Sequence, residues 1–221
     1  MVRKIAKISN GVKSEKLPII YENENLLVID KPAGIISDDF PKRVHRLDKD
    51  TSGILLMAKN DKALEFLQKQ FKAGQVKKKY LLLVVGRLKS KQGEIKTLLA
   101  RGGKDRRKQR VFSPLGPGTE RKNLKEAVTE YKVIKEFEDF TFLEAFPKTG
   151  RKHQLRVQFA NLGHPIAGDK LYGFKNQLCP EKLKRQFLHA AYLKIKLING
   201  KTKEFYSDLP KELKTVLENI K

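Results

Sequence analysis

The sequence predicts an α+β domain built mainly from antiparallel strands, on three observations. Apolar runs too short for helices occupy residues 26–29, 54–58 and 80–85, each beside turn-forming or polar residues. That is the length and punctuation of buried strands. Asn199-Gly200, set between two further apolar segments, signals a hairpin because both residues accept the positive φ of a type I′ turn. Helical spacing is confined to short stretches after Asn60, around Leu155 and after Pro210.

Taken in chain order, residues 1–16 are basic and weakly periodic and read as a loose tail, which leaves residues 17–221 as one domain. Residues 26–29 form a strand entering a Pro/Gly turn at Asp30-Lys31-Pro32-Ala33-Gly34, and residues 54–58 form a second strand. Asn60 is placed as a helix N-cap, with Leu64, Leu67 and Phe71 on one face and Gly74 as the stop. Residues 80–85 are a strand ended by Gly86. Between residues 101 and 118 the pattern collapses into a basic, exposed loop or ribbon, turn-like from Pro114 to Gly118. Residues 128–137 and 140–146 are paired strands around Glu138-Asp139. Leu155, Phe159 and Leu162 share one helix face, stopped by Gly163. Residues 192–198 and 201–206 flank the Asn199-Gly200 turn. Pro210 opens a last helix with Leu213, Leu217 and Ile220 inward.

Lys and Arg exceed Asp and Glu by 48 − 25 = 23. Self-repulsion of that size disfavours a compact state unless a polyanion relieves it. Nucleic acid is the first partner this suggests, and an anionic membrane the second. No apolar stretch reaches the roughly 20 residues that span a bilayer. The basic start is followed by no apolar signal core, so a cytoplasmic protein is expected. Cys179 is the single cysteine, which forbids an intrachain disulfide and suits a reducing compartment. One Cys and four His, without Cys-x-x-Cys or His-Glu-x-x-His spacing, offer no zinc site. A monomer is the default expectation.

Four segments carry candidate chemistry. His45-Arg46-Leu47-Asp48-Lys49-Asp50-Thr51-Ser52-Gly53 places a carboxylate beside an arginine, in a polar loop ahead of an apolar run. By itself Asp48 is either a turn-capping residue paired with Arg46 or Lys49, or a nucleophile or base held ionised by a guanidinium. Thr149-Gly150-Arg151-Lys152-His153-Gln154-Leu155-Arg156 crowds cations where a strand hands over to a helix. Cations there oppose the helix macrodipole. The segment is either a solvated basic face or a phosphate site using cations and free N–H groups together. Gly163 to Gly173 reads as a rigid turn, in which Asp169 is first a structural residue and second a partner for a cation. The glycines form neither a dinucleotide fingerprint nor a P-loop, so no nucleotide cofactor is expected. Tyr80 follows Lys77-Lys78-Lys79 and is either a core aromatic or a platform for a base taken out of its helix.

In this order the segments resemble the RluA-type family of RNA pseudouridine synthases. The resemblance runs from about Tyr21 to Leu213. It is carried by Leu27-Val28-Ile29-Asp30-Lys31-Pro32-Ala33-Gly34, the Asp48 segment, Lys78-Lys79-Tyr80 with Gly86, and the Arg151–Arg156 segment. Gly163-His164-Pro165-Ile166, Gly168-Asp169, Tyr172-Gly173 and Leu188-His189-Ala190 complete it. It implies a mixed, mostly antiparallel sheet in two sub-lobes around a central RNA-binding cleft. It also implies an isomerase that converts uridine in ribosomal or transfer RNA to pseudouridine. Asp48 is then the essential carboxylate, Tyr80 packs on the flipped uracil and serves proton removal from C5, and Arg156 pairs with Asp48. His45 and Arg46 belong to the substrate-binding set, with Arg46 filling the space of the extruded base or holding its phosphate. Arg151 and His153 contact the RNA backbone. Attack at C1′, attack at C6 and a glycal intermediate all remain open. No metal or organic cofactor is implied, since the reaction is an isomerisation.

The chain departs from that pattern in two places. Only residues 35–44 separate Gly34 from His45, a stretch much shorter than is usual, and no S4-type RNA-binding module is expected ahead of the catalytic segments. Binding is then expected to rest on the catalytic domain, the basic tail and residues 101–110. Two other readings share parts of this evidence: a catalytically idle RNA-binding or RNA-chaperone protein, and a glycosidase-like hydrolase that would release free uracil.

Overall fold

The computed structural model describes residues 17–103, 105–112 and 123–221. The expected tail of residues 1–16 and the turn from Pro114 to Gly118 lie outside those residues. The chain divides into two compact units, one of residues 1–78 with 189–210, the other of residues 79–188 with 211–221.

In the first unit β1 (Ile19–Glu22), β2 (Leu26–Lys31) and β3 (Ser52–Ala58) pair antiparallel in sequence order. β3 then pairs in parallel with β9 (Leu188–Lys196) at Ser52↔His189 and Gly53↔Ala190. β10 (Thr202–Tyr206) closes the set antiparallel to β9. The apolar runs at 26–29 and 54–58 are continuous because both faces of the sheet are covered. Val28, Ile54 and Leu56 pack toward Ala63 and Leu67 of α1 (Asp61–Lys72). Ile29, Leu55 and Met57 pack instead against Leu17 and Phe40. Asn60 caps α1, its side chain accepting the Ala63 N–H at 2.9 Å, and Gly74 at φ +69° ends it.

The second unit is an antiparallel sheet in the order β4 (Lys77–Val85), β8 (Phe140–Pro147), β7 (Lys125–Glu136), β5 (Gln92–Arg101), β6 (Gln109–Phe112). Leu82, Val84, Leu143 and Ala145 from β4 and β8 meet Leu155 and Phe159 of α2 (Gln154–Asn161) in one core. α3 (Lys211–Asn219) buries Leu213 and Val216. This is the α+β class with mainly antiparallel pairing.

Several elements differ from the sequence reading. β1 and β5 are additional strands, and β6 turns the expected basic ribbon into a hairpin. β5 buries Ile95, Thr97 and Leu99 at period two, but its alternation runs through Gly93, Glu94 and Lys96. Leu162 is exposed rather than inward, since α2 ends before it. The Asn199-Gly200 turn is not type I′: Gly200 has φ +83° while Asn199 is not left-handed. Gly200 N–H donates to Leu197 O, and Leu197 N–H to Lys201 O. The loop is therefore three residues long with glycine at its left-handed position.

Candidate active site

Asp48 lies on the loop that leads into β3, and this loop is held from several directions within the first unit. Leu47 buries its side chain. The Ser37 hydroxyl donates to Leu47 O at 2.8 Å and accepts the Leu47 N–H at 3.0 Å. Ser37 opens the 3₁₀ turn Ser37–Asp39, so the short 35–44 stretch grips the neighbour of Asp48 by both polar backbone groups. Phe40 on the same stretch covers the sheet. Lys31, wholly buried at the end of β2, donates to Pro32 O, Ile35 O and Lys49 O at 2.8, 3.0 and 3.1 Å. One ammonium thus ties the Pro/Gly turn, the short stretch and the residue after Asp48 together. Gly34 N–H and Thr51 N–H add bonds to Lys49 O and Asp48 O. Gly53 has φ +113°, and a Cβ there would stand 2.3 Å from Ala190 O, so only glycine lets β3 meet β9.

His45 opens the loop. Its ring stacks on Phe71 of α1, with centroids 4.7 Å apart, and Nε2 accepts the Leu56 N–H at 3.2 Å. Burial, with the nearby charge of Lys78 acting the same way, lowers the imidazole pKa to about 3. A neutral ring that accepts at Nε2 carries its proton on Nδ1. Arg46 is half exposed and stands 3.7 Å from Asp38, which pairs more closely with Arg43 at 2.7 Å.

In the second unit, Tyr80 sits on β4 opposite Ala145 of β8, partly buried against the core formed with Leu82 and Phe159. Arg151, His153 and Arg156 gather at the start of α2, where the sequence reading placed them. That start is built by Gln154. Its Oε1 accepts the Thr149 hydroxyl and the Arg151 N–H, while its Nε2 donates to Val128 O and Thr129 Oγ1. Arg151 Nε donates to Glu126 O. His153 is the N-cap at φ +55° and gives no side-chain cap, an outlying backbone state of the kind that collects at functional sites.

Arg156 is buried, and its described ion pair is bidentate to Asp169, with Nε–Oδ2 at 2.7 Å and Nη2–Oδ1 at 2.9 Å. Burial alone pushes the Asp169 carboxyl up. Hydrogen bonds and charge from Arg156, with the N–H groups of Leu171 and Tyr172, outweigh it and hold the carboxyl below its ordinary value. Asp169 therefore orients a cation, the second of the two roles the sequence allowed. A guanidinium gripped along one edge by a carboxylate has a fixed plane.

Lys31, Ser37 and Tyr172 were assigned no site role from sequence. A lysine closing an apolar run was the one available signal for Lys31; nothing local marks Ser37. Among the described residues no group of three or more His, Cys, Asp and Glu side chains converges to hold a metal ion. No described helix is long and apolar enough to cross a membrane.

Comparison with known proteins gives a consistent result. A family model described as RNA pseudouridylate synthase matches residues 38–161. An uncharacterized RNA pseudouridine synthase of Aquifex aeolicus is 37% identical, over 78% of this chain and 61% of its own. The ribosomal large subunit pseudouridine synthase D of Borreliella burgdorferi is 36% identical, over 92% of this chain and 68% of its own. The chain thus spans roughly three fifths to two thirds of the length of these relatives. The solved structure of human RNA pseudouridylate synthase domain containing 1 superposes with a TM-score of 0.78 at 28% identity, covering 91% of this chain and 86% of that one.

Proposed function

The chain belongs to the RNA pseudouridylate synthase family, and on that premise we propose that it isomerises uridine to pseudouridine in RNA. Residues 17–221 act as the catalytic domain. Large-subunit ribosomal RNA is the first substrate to test, because relatives carry that substrate in their names; transfer RNA is the second. The observation that carries the reading is the Asp48 loop, whose neighbours are fixed by Lys31, Ser37 and Gly34.

Each side chain then has a task. Asp48 is the carboxylate that starts cleavage of the N1–C1′ bond. The uracil turns, C5 bonds to C1′, the C5 proton leaves with Tyr80 assisting, and the freed N1 takes up a proton, so the product is an isomer. Arg156, its plane set by Asp169, is the cation the resemblance assigns as partner to Asp48; a guanidinium has five N–H donors and can serve a second acceptor. Arg46, Arg151 and His153 meet the RNA backbone or the space of the extruded base. His45 acts within its set as a neutral pillar of the loop. Base extrusion costs about a few kcal/mol, so target uridines lie in loops or weakly stacked regions. The net charge of +23 favours capture of a polyanion, and binding weakens as salt rises.

The test is Asp48→Asn. Pseudouridine formation on ribosomal RNA transcripts drops below detection while RNA affinity stays within about threefold, since one substituted atom changes few phosphate contacts. Pseudouridine formation at the wild-type rate by the variant would sink the assignment. Release of free uracil by wild-type protein would select the hydrolase reading instead.

A further inference from the structure

The hairpin joining β5 to β6 exposes Arg101, Arg106, Arg107 and Arg110. Bonds join the described residues of its turn. Gly102 N–H donates to Lys108 O at 2.8 Å, Lys108 N–H to Asp105 O at 3.0 Å, and Arg107 pairs with Asp105 at 3.0 Å. Among the described residues β6 is the last strand of the second unit's sheet, and such an edge presents backbone groups for pairing. One of them is occupied: Gln109 N–H donates to Tyr172 Oη at 2.7 Å. The same Oη lies 2.9 Å from His153 Nδ1. Having accepted from Gln109, the phenol can donate its own proton to that ring nitrogen. The tyrosine ring in turn lies under the Arg156 guanidinium, 5.3 Å from its centroid. The Asp169 carboxylate that grips Arg156 also accepts the Tyr172 N–H at 3.1 Å.

One buried tyrosine thus touches the root of a basic hairpin, the left-handed cap of α2 and the arginine of the candidate site. We propose that Tyr172 is a positioning residue that couples RNA docking on the β5–β6 hairpin to the setting of Arg156. The hydroxyl fixes the hairpin against the start of α2, and the ring fixes the guanidinium. This rests on the isomerase reading above and adds a division of labour within one side chain. An arginine-rich arm on a free linker would capture phosphates in any register. An arm bonded at its root to the site presents the RNA in one register.

The experiment separates hydroxyl from ring by steady-state kinetics on an RNA transcript that the wild-type enzyme modifies. Tyr172→Phe keeps the ring and loses one hydrogen-bonding group, so KM for RNA rises about three- to tenfold while kcat falls by a smaller factor than KM rises. Tyr172→Leu removes the ring as well, and kcat falls at least tenfold further. The hairpin is tested by Arg106→Gln/Arg107→Gln. In that background Tyr172→Phe adds less than twofold to KM, because the arm it positions no longer holds phosphate. Trypsin supplies a readout free of catalysis: without RNA, the phenylalanine variant is cut faster than wild type within residues 101–110. Three results each overturn the coupling: an unchanged KM in Tyr172→Phe, a loss confined to kcat, or a full KM effect that persists in the neutralised hairpin. Wild-type protein that binds RNA without forming pseudouridine defeats the isomerase reading alone. An active wild type whose phenylalanine variant matches it in KM and in trypsin cleavage defeats the coupling alone.

Discussion

His45 gives the sharpest test of how the Asp48 loop is built, because its two possible roles differ in charge. A histidine that attracts phosphate by charge must be cationic, whereas the observed ring accepts the Leu56 N–H and stacks on Phe71. With its pKa near 3 on folding and an ordinary value of 6.5, both folded and unfolded chains hold it neutral above about pH 7. As pH falls below 6.5 the unfolded chain binds a proton that the folded chain refuses, so stability decreases. The loss continues until pH approaches the folded value, where both forms are protonated. Between pH 7.5 and 5.5 the linkage amounts to about 1.4 kcal/mol. The residue is only partly buried by surface area, so this value is a ceiling. Urea unfolding at the two pH values measures it, with His45→Gln as the non-titrating control. The glutamine loses the ring stack at every pH, but its stability falls less than the wild type's across this interval by up to the stated amount. The other three histidines are common to both proteins and cancel. Equal acid losses in the two proteins would refute the neutral-pillar account.

Lys31→Met removes the donor shared by three carbonyls while relieving the cost of burying an ammonium. The expected net loss is about 2–4 kcal/mol, read from the urea midpoint, with activity falling further than stability at a temperature where the variant is folded. Asp169→Asn removes the carboxylate charge that grips the buried Arg156 guanidinium and costs about 3–5 kcal/mol. The wild-type carboxyl is held below its ordinary value of 3.8. Its contribution is therefore complete above that value and is lost as pH falls through the lower folded pKa. The acid limb of a wild-type stability profile should accordingly be steeper than that of the asparagine variant.

What the sequence made legible follows from how local each signal is. The strand at 54–58 could be read because both of its faces are buried, which leaves an unbroken apolar run. α1 could be read because Asn60, its apolar face and Gly74 all lie within one short window. β5 was passed over because it sits beside a charged hairpin and buries only alternate residues, so Glu94 and Lys96 interrupt the apolar letters. The candidate residues divide along the same line. Asp48, Tyr80 and Arg156 stand in ordered motifs and were named, whereas the groups that fix the Asp48 loop and the Arg156 surroundings act at a distance. Ser37 reaches Leu47 ten residues on, Lys31 reaches Lys49 eighteen residues on, and Tyr172 reaches Gln109 sixty-three residues back. Their targets are backbone atoms, which every residue has, so no side-chain identity at the far end announces the pairing. The short 35–44 stretch shows the consequence. In the sequence it reads as something missing before His45, yet its serine and phenylalanine clamp the loop and seal the sheet. A segment that holds Leu47 by both backbone groups cannot be lengthened freely without loosening the residue beside it, so its brevity is tied to the rigidity of the Asp48 loop.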